Sequence, residues 1–109
     1  MAHFICLVTF TEAGLAQLGS TTKRAEAFSK LAARFDVKIL QTFWTLGNYD
    51  MVHVIQAPDE KTAASLAFSL SALGNVRTHT LPAFTLQEMN EEILEKVQTP
   101  YDLIRVEPD

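Results

Sequence analysis

Residues His3 to Phe10 read HFICLVTF, and this run is apolar on both of its alternating faces. Side chains point to opposite sides of a strand in turn, so a strand with one wet face shows a polar residue at every second position. Here Phe4, Cys6, Val8 and Phe10 share one side, and Ile5 and Leu7 share the other. The run is short, β-branched and aromatic, and reads as a central strand that must be covered twice. Tyr49 to Ala57 makes the same demand, because Met51 and Ile55 oppose Val52 and Val54. Any fold built on these strands has to supply a cover for each face.

The intervening segments supply one cover. Ser20 is placed to cap a helix running to about Phe35, in which Phe28, Leu31, Ala32 and Phe35 form one apolar stripe. Thr11 to Gly19 reads as a connector with a helical turn around Leu15. Val37 to Leu46 is rich in Ile, Thr, Phe and Trp and reads as a strand. Gly47-Asn48 breaks it and predicts a tight hairpin into the strand from Tyr49. Pro58 ends that strand. Asp59 caps a helix over about Glu60 to Leu73, with Ala63, Leu66, Ala67, Leu70 and Leu73 on one face and Gly74 as the left-handed residue after it. Val76 to Ala83 is the fourth strand, with Pro82 near its end. Thr85-x-x-Glu88 is a capping box that opens a last helix to about Val97. Gln98 to Asp109 is a tail whose Tyr101, Leu103, Ile104 and Val106 are expected to dock on something.

Two strand–helix–strand halves joined by a hairpin predict an α+β fold, the ferredoxin-like βαββαβ pattern. Residues 1–97 form its single domain and 98–109 the tail. Right-handed crossovers put both helices on one face of a four-stranded antiparallel sheet, with the C-terminal helix as an addition. The other face stays open and apolar. Monomers rarely expose such a patch, so self-association through the sheet, with two-fold symmetry, is expected. The alternative cover is the last helix and tail folded back.

The chain has 109 residues, 48% of them hydrophobic, and a formal net charge of −4. No Lys/Arg run or basic surplus serves nucleic acid, so no nucleic-acid partner is expected. A single cysteine fits a reducing compartment, and no secretory or membrane-spanning stretch is visible, so a cytoplasmic protein is expected.

Two motifs are more specific than this. Phe43 to Val52 reads FWTLGNYDMV, and Leu73 to Phe84 reads LGNVRTHTLPAF. With the APDE turn at Ala57 to Glu60, they resemble the GYD-domain family over roughly residues 4 to 97. The resemblance departs only at Asn48, a variable motif position, and in the tail. It implies a ferredoxin-like domain of the dimeric α/β-barrel type. It implies no agreed activity, so no catalytic role carries over.

Candidate site residues follow from chemistry alone. Tyr49 and Asp50 flank the hairpin, where Asp50 acts as a base or cation-pairing group if it borders a ligand, or else bonds nearby amides as turn residues do. His53 shares a face with Met51, Cys6 and Phe4. His79 shares one with Arg77, opposite Thr78 and Thr80. If the register sets His79 beside Cys6, then Cys6, His53 and His79 could hold Zn²⁺ or copper. No short ligand spacing supports this, and no metal is expected. Arg77 could clamp an anion, or serve as an edge-strand charge. Cys6 reads as an inert buried thiol.

Trp44 depends on the hairpin register. A two-residue loop pairs Thr42 with His53 and puts Trp44 with Met51, whereas a loop one residue longer puts Gln41 and Phe43 there instead. The reading these features favour is a homo-oligomer that binds a small molecule at the sheet face or subunit junction. A small oxygenase- or isomerase-like enzyme, with His53, His79, Tyr49 and Asp50 as acid–base groups, is the second reading. A purely structural assembly unit is the third.

Overall fold

The computed structural model describes residues 1–100. β1 (Ala2–Phe10) leads through a short α1 (Glu12–Ala16) and a 3-10 turn (Leu18–Ser20) into α2 (Thr21–Arg34). β2 (Lys38–Trp44), β3 (Met51–Ala57), α3 (Glu60–Ala72) and β4 (Val76–Ala83) follow. A C-terminal arm begins with α4 (Leu86–Glu88) and runs on as a π-helical turn (Met89–Ile93) and a 3-10 turn (Leu94–Lys96). The strands make one antiparallel sheet in the order β2-β3-β1-β4. This is the expected ferredoxin-like topology, and the two doubly apolar strands are its centre.

The caps explain where the helices start. Asp59 accepts the Thr62 amide at 2.8 Å, and Thr85 and Glu88 close the capping box. Two expectations are corrected. Ser20 does not cap α2: its hydroxyl donates to the Gln17 carbonyl, because the residue ends the preceding 3-10 turn. The last helix does not run as one α-helix to Val97, since its ladder widens and then tightens after Glu88. The docking residues expected in the tail lie outside the described residues.

α1 is fixed more tightly than its five residues suggest. Thr11 accepts the Gly14 amide at 3.2 Å and donates to the Gly74 carbonyl at 2.7 Å. A Cβ at Gly14 would meet the Asn75 carbonyl oxygen at 2.1 Å, so only glycine lets α1 lie against the α3–β4 turn. Gly74 itself has φ +83, as its position after α3 requires.

The hairpin keeps the two-residue register but not the two-residue loop. Thr42 pairs with His53 and Trp44 with Met51, while the strands stop at those residues. The Thr45 amide donates to the Asp50 carbonyl at 2.8 Å, and Gly47 turns at φ +106. Further along β2 one extra residue, Leu40, shifts the pairing between Ile39 and Gln41. Gln41 and Phe43 therefore lie on the open face, and Trp44 lies on the helical one.

Both helices cover one face, and the core splits in two. Phe4, Ile55 and Ala57 pack against Phe28 and Ala32 of α2 and Ala63 and Leu66 of α3. A smaller cluster of Cys6, Val8 and Met51 sits toward the far end of the sheet, with Phe10, Ala25 and Val76 around it. The opposite face has no helix among the described residues. Its rows run Phe43–Val52–Leu7–His79 and Gln41–Val54–Ile5–Leu81 across the four strands. Phe43 is 52% exposed there.

Candidate functional site

The sheet separates the predicted site residues into three places. His53 is 3% exposed and faces the helices, on the same side as Cys6 and Met51. Its Nδ1 lies 2.9 Å from the Thr42 hydroxyl, a pairing the hydroxyl satisfies in either imidazole tautomer. Its ring meets Phe28 with centroids 4.8 Å apart and planes tilted by 43°. Burial lowers its pKa to about 4, so the ring is neutral at pH 7.

His79 lies on the other side of the sheet. The register sets Thr80, not His79, opposite Cys6 and pairs His79 with Leu7. Each step of one residue along a strand reverses the side chain, so the Cys6–His53–His79 metal group does not assemble. No group of three His, Cys, Asp or Glu able to hold a metal exists among the described residues. Cys6 is held as a thiol: burial raises its pKa, and the Thr80 hydroxyl 3.7 Å away only partly opposes this. Arg77 is exposed on the open side of the edge strand, opposite Thr9.

Tyr49 and Asp50 stay with the hairpin. An Asp50 carboxylate oxygen accepts the Phe10 amide at 2.8 Å, and the Asp50 amide donates to the Val8 carbonyl at 2.8 Å. The carboxylate thus caps the end of β1, where the chain leaves the ladder. The Tyr49 carbonyl accepts the Thr45 hydroxyl at 2.6 Å. The four acid–base candidates His53, His79, Tyr49 and Asp50 therefore do not converge. Nor does a ligand site form on the open face around His53, which points away from it.

What the fold builds instead is a cavity of about 280 Å³ between the helices and the far end of the sheet. Val8, Phe10, Met51, His53 and Val76 rise from the strands, Phe28 and Leu31 come from α2, and Leu70 comes from α3. The smaller core cluster forms part of its wall, because short Ala25 leaves the space that a larger residue would fill. Thr21 and Arg24 of α2 and Gln17 before it also line the cavity. Arg24 donates through Nε to Ser20 Oγ at 3.3 Å and through Nη2 to the Gln17 side-chain carbonyl. Trp44 is 44% exposed and donates its indole N–H to Thr21 Oγ1 at 3.0 Å, which ties β2 to the first turn of α2.

Of the predicted residues, only His53 lines this cavity. Sequence reasoning missed Arg24, Thr21 and Gln17. A signal was available for two of them: Thr21, Arg24, Phe28 and Leu31 recur at helical spacing on one side of α2. The apolar stripe drew attention to the last two alone.

The order of elements, the apolar central strands and the two motifs all agree with one family. Its model, the GYD domain, matches residues 4–93. The chain belongs to the GYD-domain family. A Thermus thermophilus relative, named glutamine synthetase and cystathionine beta-lyase binding protein, is 33% identical over 90 residues. That match covers 82% of this chain and 95% of the relative. The crystal structure of TTHA0845 from Thermus thermophilus superposes with a TM-score of 0.52 at 21% identity, over 78% of this GYD-domain chain and 95% of that one. At that identity the likeness is one of fold. No helix among the described residues is long and apolar enough to cross a membrane.

Proposed function

We propose that this GYD-domain chain is a binding protein that works by protein–protein contact, with two copies packed through their open sheet faces. The observation that carries the reading is the open face itself. Across its middle rows, Phe43, Val52, Leu7, Val54, Ile5 and Leu81 present apolar side chains with no helix over them among the described residues. Four strands about 4.8 Å apart and about 20 Å long make a face of roughly 300–400 Å², within the range of the largest apolar patch on a monomer, which is often functional. A second copy offers the same apolar surface, and a two-fold axis would bring the two into self-complementary contact. The relative named for binding two enzymes supports a role among protein partners. The helical side and the C-terminal arm then remain for a partner other than the chain itself.

Native mass spectrometry with light scattering tests this. The unaltered chain is expected at twice the monomer mass. Val54→Lys sets a charge in the middle of the face and is expected to shift the equilibrium to monomer without loss of helical signal. Its position is half-exposed in the single chain, so the folded monomer can carry the lysine. A monomeric unaltered chain, or a dimer indifferent to Val54→Lys, would sink the proposal.

A further inference from the structure

The cavity between α2 and α3 has a chemistry of its own, independent of how the sheet faces pair. Its walls are aliphatic or aromatic over most of their extent: Val8, Phe28, Leu31, Met51 and Leu70 surround the space. His53 adds a neutral ring, already engaged by Thr42 through Nδ1. A thioether and three rings, those of Phe10, Phe28 and His53, around one cavity favour a planar or bulky apolar body. At about 280 Å³, the space suits a ligand on the order of ten heavy atoms, below the drug-sized range.

Arg24 supplies the one charge in the lining. Among the described residues, it is the only half-buried Lys or Arg. It has no carboxylate partner among them; its bonds go to the neutral Ser20 and Gln17 side chains. Those two contacts use Nε and Nη2 and hold the guanidinium in place, leaving Nη1 without a hydrogen-bond partner among the described residues. A guanidinium held beside an apolar cavity recognises a carboxylate well, because the unpartnered Nη1 can donate a charge-assisted hydrogen bond and the low-dielectric wall strengthens the pairing.

We propose that this cavity is a binding site for a small apolar monocarboxylic acid, with the body of the acid between Phe28, Met51 and Leu70 and its carboxylate on Arg24. Neutral His53 makes part of the apolar wall and adds no positive charge that would draw the carboxylate inward. The acid therefore enters body first and keeps its charged end at Arg24.

The probe is 3-phenylpropanoate, compared by calorimetry with its neutral amide on the full chain at pH 7. The acid is expected to bind with a dissociation constant between about 10 µM and 1 mM, and the amide about tenfold more weakly. Arg24→Gln is expected to bring the acid down to the level of the amide. Leu70→Trp, which fills the space from α3, is expected to abolish binding of both. Equal binding of acid and amide overturns the proposal, as does absence of heat with the acid up to about 5 mM. Acid binding that survives Leu70→Trp in a folded chain overturns it too, because the site would lie elsewhere. The acid–amide comparison uses the unaltered chain and decides the matter even if a variant does not fold.

Discussion

His53 shows how much one side chain can carry in a small core. It is an ionisable ring in a space made for apolar ones, against Phe28, with one hydrogen bond to Thr42. Burial holds its pKa near 4 in the folded chain, below the ordinary value of 6.5. The sign follows from linkage. Above about pH 6.5 the ring is neutral in both states and costs nothing; below that, protons bind the unfolded chain first, so stability falls until about pH 4, where the folded ring also charges. The expected loss between pH 7 and pH 4 is on the order of 3 kcal/mol. Chemical denaturation at a series of pH values checks this, and His53→Gln should remove most of that slope. Asp59 and Glu88 lean the same way more weakly: each accepts a backbone amide that lowers its pKa, and each loses that bond as pH falls through its folded pKa. The reach of sequence reading is visible at the same residue. Parity alone put His53 beside Cys6 and Met51, and that holds. Whether that face was wet, covered or shared with His79 depended on a register between strands that are far apart in the chain. The pairing of β1 with β4 settled it, and no local signal in either strand encodes that alignment.

At the scale of elements, α1 shows what propensity does not reveal. Five residues are too few to form a helix alone. The element persists because Thr11 caps it and Gly14 lets it sit against Asn75. Gly14→Ala, neutral or favourable in an isolated helix, is expected here to push α1 off the α3–β4 turn and cost about 1–3 kcal/mol. A thermal melt of the variant tests this, and an unchanged midpoint would mean that the turn gives way freely. The helices α2 and α3 and all four strands were legible, since each has a clear apolar period and most have a cap or breaker. The bulge at Leu40 was not legible, because one extra residue in a β-branched run leaves no mark on composition. The C-terminal arm was half legible: its capping box forms as read, but its turns after Glu88 lack the core contacts that hold a helix to one pitch. The cavity was the least legible feature, being a space between elements whose lining residues come from several separate segments.

For the molecule as a whole, the two faces of the sheet divide the work. One closes over a core and a cavity, and the other stays largely apolar and open among the described residues. Packing two such sheets would bury mainly apolar area in the middle rows, with Gln41, His79 and Arg77 toward the edge strands, so self-association should tolerate salt. Raising the salt concentration from about 0.1 to 1 M, which shortens the screening length from about 10 to 3 Å, is expected to leave the proposed dimer intact. Light scattering at both concentrations checks this, and dissociation at high salt would instead point to charges at the contact, with Arg77 on the open side as the first suspect. The arm after Ala83 meets β1 through His3 and Glu88, 3.9 Å apart, and otherwise packs largely on itself. Its Phe84, Leu86 and Leu94 are exposed, which leaves it available to a protein other than the chain itself.

The chain has a single tryptophan, and its indole N–H holds Thr21, a residue of the cavity wall, from the helical side of the sheet. Trp44 is therefore a built-in optical reporter with a directional view. A molecule entering beneath α2 disturbs the hydrogen bond that orients the indole and should change its emission wavelength and intensity. Two sheets meeting on the far side leave that bond alone. Titrating ligand and diluting the protein would then give different emission records, separating occupancy from assembly in one cuvette without a label.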